Sequence, residues 1–267
     1  MKKPSRKKAS PRSFPKKKNQ TITPKENLKQ ESAEIRLNRY ISNSGICSRR
    51  EADKLIADGE VKVNGKVVME LGTKVGKDDR VEFKGKVIQP EKYVYLLLNK
   101  PKGFITTLSD PKDRKTVMEL VSKATEQRIY PVGRLDRMTT GVLLFTNDGD
   151  FAQKLIHPSM AVPKIYEVVL NRALKDEDLE KIKEGTELED GVVKVDDIAI
   201  VSSDAKSVGV KIHSGKNRVI RRLFEHYHYQ VEKLDRVMFA GLDKKGISRG
   251  QWRYLSEKEI IRLKYFQ

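Results

Sequence analysis

The stretch Gly133-Arg134-Leu135-Asp136-Arg137-Met138-Thr139-Thr140-Gly141-Val142-Leu143-Leu144-Phe145-Thr146-Asn147-Asp148-Gly149 decides how the chain folds. Val142 to Phe145 are apolar without alternation, as expected for a strand covered on both faces. Asn147-Asp148-Gly149 ends that strand with turn chemistry. Asp136 therefore lies in the loop that enters a core strand, between Arg134 and Arg137, whose positive charge favours the ionised carboxylate. An ionised carboxylate in such a place can attack an electrophilic carbon. A structural aspartate capping a turn fits the same position.

On the N-terminal side, Tyr93 to Leu98 is a β-prone run that enters Asn99-Lys100-Pro101-Lys102-Gly103. Pro101 restricts the backbone and Gly103 frees it, so the segment either fixes a basic loop near a phosphate-bearing substrate or is a plain connector. Val117, Leu120 and Val121 suit a helix, and Ile129 to Val132 read as extended. On the C-terminal side, Lys164-Ile165-Tyr166-Glu167-Val168-Val169-Leu170 alternates as a strand with Tyr166 on the face of Lys164 and Val168. Tyr166 is either a core tyrosine or a ring that stacks on a base. Strands are expected near Val192 to Val201 and Val208 to Ile212. A turn from Ser214 and a helix follow, with Asn217 as N-cap and Val219, Ile220, Leu223 and Phe224 as the buried stripe. Arg218, Arg221 and Arg222 occupy its other side, as a solvated face or as guanidinium groups reaching back to a carboxylate.

Upstream, the periodicity from Ile35 through Leu37, Tyr40 and Ile41 predicts an amphipathic helix. Ser48-Arg49-Arg50-Glu51 has the pattern of a capping box, Ala52, Leu55 and Ile56 form an apolar face, and Gly59 suits the helix stop. Val61 and Val63, then Asn64-Gly65, then Val67-Val68 predict a hairpin with a type I′ turn, and Val81 and Phe83 another strand. A linker is expected over Gly85 to Lys92. Arg36, Arg39, Arg49, Arg50, Lys54 and Lys62 fall beside the apolar stripes and should face water, as an ordinary solvated face or as an RNA-binding patch.

Lys and Arg number 55 against 37 Asp and Glu, a net charge of +18. Residues 1–30 alone hold eleven of those cations against one Glu. Residues 1–33 bury too little apolar surface to offset backbone entropy and read as a basic disordered arm. It is a solubilising tail or an electrostatic tether to RNA phosphates. Cys47 is the single cysteine, which leaves no intramolecular disulfide or Cys-rich zinc cage and points to the reducing cytoplasm. No window approaches 18 uninterrupted apolar residues, and no secretory signal is legible. Soluble anionic partners are expected, with nucleic acid first among them.

Leu37-Asn38-Arg39-Tyr40-Ile41, Ser48-Arg49-Arg50-Glu51-Ala52 and Val61-Lys62-Val63-Asn64-Gly65, in that order, resemble the RNA-binding module named after ribosomal protein S-four. Gly133-Arg134-Leu135-Asp136 with Thr139-Thr140-Gly141 and Leu143 to Gly149 is similar to the signature of the RsuA/RluB family of rRNA pseudouridine synthases. Asn99 to Gly103, Lys164-Ile165-Tyr166, Asn217 to Phe224 and Gly250 to Leu255 resemble the family's remaining motifs, so the likeness extends over about residues 35–265.

The resemblance implies an α+β chain of three parts. These are the arm (1–33), an S-four-like RNA-binding domain with its linker (34–92), and a pseudouridine synthase domain with a mixed, mostly antiparallel β-sheet and flanking helices (93–267). It implies Asp136 as nucleophile, Tyr166 packed on the target base and Arg221 paired with Asp136, with no cofactor and no metal. Lys100, Arg134, Lys164, Arg218 and Arg222 would join the basic residues of the small module in contacting RNA. Large-subunit rRNA is the expected substrate. A small-subunit enzyme of the same family and a non-catalytic ribosome-assembly factor are the alternatives. Lys216 stands where relatives carry Arg, and a lysine cannot make the same two-pronged contact, which keeps it out of the catalytic set.

Overall fold

Ser48 and Glu51 close a reciprocal capping box. The Ser48 hydroxyl accepts from the Glu51 N–H and the Glu51 carboxylate from the Ser48 N–H, an arrangement worth about 1 kcal/mol. The computed structural model describes residues 34–265, so the basic arm lies outside the described residues. The small module runs β1 (Ile35–Arg36), α1 (Leu37–Asn43), α2 (Arg49–Ala57), β2 (Val61–Val63), β3 (Lys66–Val67), β4 (Lys74–Val75), β5 (Val81–Phe83) and β6 (Lys86–Val87). Leu37, Ile41, Ala52, Ile56, Val61, Val75 and Val81 form its core. Asn64 and Gly65 both have positive φ, 50° and 80°, as the expected type I′ turn demands.

Two boundaries of the small module differ from expectation, and the strand expected near Val192 to Val201 is confined to Asp197–Ile200. Ile35 does not begin the helix, because its backbone pairs with Val75 as a strand. The linker does not begin at Gly85 either. Lys84 and Gly85 form a second tight turn at φ 49° and 75°, and β6 returns along β5.

The remaining elements are β7 (Tyr95–Lys100), α3 (Val117–Val121), β8 (Tyr130–Pro131), β9 (Thr140–Thr146), α4 (Gly149–Ile156), β10 (Lys164–Leu170), α5 (Asp176–Glu184), β11 (Asp197–Ile200), β12 (Ser207–Ile212), α6 (Val219–His226), β13 (Val231–Phe239), β14 (Leu242–Asp243), β15 (Trp252–Tyr254) and α7 (Glu257–Lys264). Nine strands form one sheet in the order β11-β12-β10-β13-β9-β7-β15, with β14 beside β13 and β8 beside β9. Its one parallel pair is β9 with β13, so the sheet is mixed and mostly antiparallel, as the resemblance implies.

The apolar run of β9 is buried on both faces. Val142 and Leu144 pack with Tyr95, Phe151, Leu155 and Phe239, whereas Leu143 and Phe145 pack with Leu96, Leu98, Val117 and Leu135. Each such side chain contributes about 1.5–3 kcal/mol relative to exposure. Asp148 does more than end the strand: its carboxylate accepts from the Phe151 N–H and caps α4, a helix the turn-like sequence conceals. Gly141 is demanded by the parallel pairing. At φ +106° it lies so near β13 that an added Cβ would fall 2.2 Å from the Arg236 carbonyl oxygen. Thr140 beside it donates to Asp235 Oδ1 at 2.8 Å, which locks β9 to β13 directly after the Asp136 loop.

Candidate active site

Asp136 is presented by a loop that the neighbouring strand grips through its backbone. Lys100, the last residue of β7, donates from Nζ to the carbonyl oxygens of Asp136 (3.1 Å), Arg137 (3.3 Å), Thr139 (2.8 Å) and Pro101 (3.2 Å). The Gly103 N–H donates to the Arg137 carbonyl at 2.8 Å, and the Thr106 hydroxyl to the Leu135 carbonyl at 2.8 Å. Leu135, buried against Phe145 and Leu143, anchors the residue before Asp136 in the core. The segment Asn99 to Gly103 thus fixes the loop that carries Asp136.

Lys100 requires a correction as an RNA contact. It is fully buried, and its ammonium is spent on backbone carbonyls. Burial pushes it down to about 8, with Arg249 acting in the same direction and Asp136 against it.

Asp136 lines a cavity of about 500 Å³ together with Arg134, Arg137, Tyr166, Lys164, His213, Lys216, Arg218 and Arg236. Among the described residues its carboxylate closes no ion pair. Its flanking arginines leave it open as well: Arg134 is exposed, and Arg137 donates from Nε to the Gly103 carbonyl at 3.3 Å. Tyr166 reaches the cavity from β10, beside the register shift between Ile165 and Tyr166. Lys164 donates to the carbonyls of His213 (2.7 Å) and Val162 (3.1 Å), and burial pushes it down to about 8.

The expected ion pair of Arg221 with Asp136 is not formed. Arg221 donates from Nη1 to the Val231 carbonyl at 2.8 Å. Burial and Arg218 lower its guanidinium, while the charge of Asp136 acts on it in the opposite direction, so the two stand within electrostatic reach. Arg222 is turned to Asp190, in a two-pronged contact at 3.0 and 2.9 Å. Arg218 rather than Asn217 stands at the N-cap of α6, at φ +46°, a left-handed conformation that costs an arginine energy and marks a constrained turn on the cavity wall.

In the small module, Arg36, Arg49, Arg50, Lys54 and Lys62 are exposed. Arg39 is only partly so, because it pairs with Asp150 of α4 instead of facing open water. Arg49 and Arg50 open α2, where the positive end of the helix dipole disfavours cations.

One wall residue lies outside the set expected from sequence. Arg236 lies on β13 as the cross-strand partner of Tyr166 and of Gly141, and it is 3% exposed. Its spacing from the buried Leu234 is the signal that could have found it, since alternation places both on one face.

Residues 94–226 match the RNA pseudouridylate synthase family and residues 35–81 the S4 domain. The chain is 42% identical over 233 residues to ribosomal large subunit pseudouridine synthase B of Bacillus subtilis (strain 168), covering 86% of this chain and 95% of that protein. It is 36% identical over 233 residues to the dual-specificity RNA pseudouridine synthase RluF of Shigella flexneri, covering 86% of this chain and 78% of the relative. A solved pseudouridylate synthase superposes with a TM-score of 0.61 at 25% identity, over 86% of this chain and 99% of that one. The chain belongs to the RNA pseudouridine synthases that carry an N-terminal S4 domain.

Proposed function

We propose that this enzyme isomerises a specific uridine of large-subunit ribosomal RNA to pseudouridine, with Asp136 as the nucleophile. The observation that carries the reading is Asp136 itself. Its backbone is clamped by Lys100, and among the described residues its carboxylate is left without an ion pair on the wall of a basic cavity beside Tyr166. The 42% identity to the Bacillus large-subunit enzyme supports the choice of subunit.

The reaction gains and loses no atoms. The bond from ribose to N1 of the base breaks, a bond to carbon five forms, and a proton passes from carbon five to N1. A base lifted from its stack costs a few kcal/mol, and stacking on an aromatic ring returns about 1–3 kcal/mol, a role that suits Tyr166. Residues 34–92 serve as the RNA-binding domain and residues 93–267 as the catalytic domain, in the cytoplasm. Exposed Arg36, Arg49, Arg50, Lys54 and Lys62 contact RNA phosphates, and a phosphate would offset the cost of two cations opening α2. Arg134, Lys164 and Arg218 line the route to Asp136.

Mapping pseudouridines in both ribosomal RNAs, from cells with and without the protein, tests the reading. Loss of one large-subunit site is expected. Loss confined to the small subunit would move the enzyme to the other branch of the family.

A further inference from the structure

Among the described residues no carboxylate neutralises the charge of Arg236, and the Tyr166 side chain beside it is the group that favours the charged guanidinium against its burial. The Arg236 Nε donates to the Val142 carbonyl at 2.8 Å, and the guanidinium lies over the Phe239 ring at 4.7 Å. Its Nη2 is buried without a hydrogen-bond partner among the described residues. Lys164, which also lines the cavity, stands close enough for the Arg236 charge to oppose its own. A dry guanidinium without a counter-ion is a cost that an apolar residue at this place on β13 would avoid. Its cross-strand neighbours are Tyr166 and Gly141, so it is built into the sheet beside the reactive loop and not at the periphery. Buried polar groups left unpaired in this way gather where a ligand completes them.

We propose that Arg236 contacts the target base: Nη2 donates to a carbonyl oxygen of the uracil, and the guanidinium charge stabilises the base while it is detached from the ribose. The inference rests on the reading of the cavity as the uridine-isomerising site. When the bond between ribose and N1 breaks, its electron pair stays on the base, and the negative charge spreads over N1, O2 and O4. The pair is used again when carbon five bonds to the ribose carbon; the proton on carbon five then leaves and N1 takes one up. A fixed N–H aimed at one of those oxygens is worth more at that stage than in the ground state. A donor placed on O4 would meet an amino group in cytosine and so take part in base selection, whereas one placed on O2 would not.

The test is single-turnover conversion of a large-subunit rRNA fragment containing the uridine that the wild-type enzyme modifies. That position carries uridine, 2-thiouridine or 4-thiouridine, and the enzyme is wild type, Arg236→Lys or Arg236→Met. The methionine variant should lose about 100-fold or more in rate, and the lysine variant about 10-fold, with RNA affinity within about twofold. Sulfur at the contacted position should slow the wild type about 10-fold and slow Arg236→Met no further, because both changes remove one interaction. Equal wild-type rates on all three RNAs overturn the proposal without reference to any variant. So do losses that multiply in the methionine variant. A wild-type enzyme that converts no uridine in either ribosomal RNA instead removes the isomerase reading, and this contact with it.

Discussion

Lys100 holds Asp136 by the main chain and leaves its carboxylate untouched. Nζ donates to the Asp136 carbonyl at 3.1 Å and to those of Arg137 and Thr139, so one buried ammonium fixes the turn that carries Asp136. Lys100→Met leaves these carbonyls without their donor. It should cost about 2–4 kcal/mol of stability and lower the rate of pseudouridine formation more than RNA affinity, as thermal unfolding and separate rate and binding measurements will show. A variant with wild-type stability and rate would mean the clamp is dispensable.

The pH dependence follows from the two buried lysines. Burial holds Lys100 and Lys164 down to about 8, against an ordinary 10.5. Between those values the unfolded chain binds more protons, so both groups make the fold more stable as pH rises through about 8. Function runs the other way: a neutral Lys100 has one donor fewer for the Asp136 loop, and a neutral Lys164 attracts RNA less. Urea unfolding and turnover measured at about pH 7 and about pH 9.5 should therefore move in opposite directions, with a smaller stability increment in Lys164→Met.

Gly141→Ala should be among the most damaging single-methyl additions. The new Cβ would meet the Arg236 carbonyl oxygen at 2.2 Å with φ at +106°, and neither β9 nor β13 can yield without opening their pairing. A loss of about 3 kcal/mol or more is expected, read as a lower denaturant midpoint or a failure to fold.

The basic arm predicts a salt effect. Residues 1–30 hold eleven Lys and Arg against one Glu. Every RNA phosphate that the arm neutralises steepens the plot of log affinity against log salt by about 0.7–0.9, so removal of residues 1–33 should make RNA binding distinctly less salt-sensitive. An unchanged slope would assign the arm to solubility alone.

Much of this architecture is legible in local patterns. Val142 to Phe145 read as a doubly buried strand because apolar residues occupy both faces, and Ser48 with Glu51 and Asn64 with Gly65 carry their geometry in a few residues. What escaped depends on partners distant in the chain. Lys100 looks like a basic loop residue until β9 closes over it, and Arg236 looks like a solvent-facing charge until β10 and β9 flank it. Asn147-Asp148-Gly149 reads as a turn, but an aspartate before Gly149 also caps a helix when Phe151, Ala152 and Leu155 have a core to enter. The Arg221 pairing with Asp136 drawn from family resemblance is not made, because the Val231 carbonyl holds its guanidinium.

The Asp136 carboxylate is proposed to perform the chemistry. Pseudouridine formation by Asp136→Asn on large-subunit rRNA, measured beside RNA binding by the same protein, tests it most directly. Affinity within about twofold of wild type and no detectable pseudouridine are expected, since one charge among many basic side chains matters little to binding. Pseudouridine formed by that variant at a rate near wild type would contradict the account.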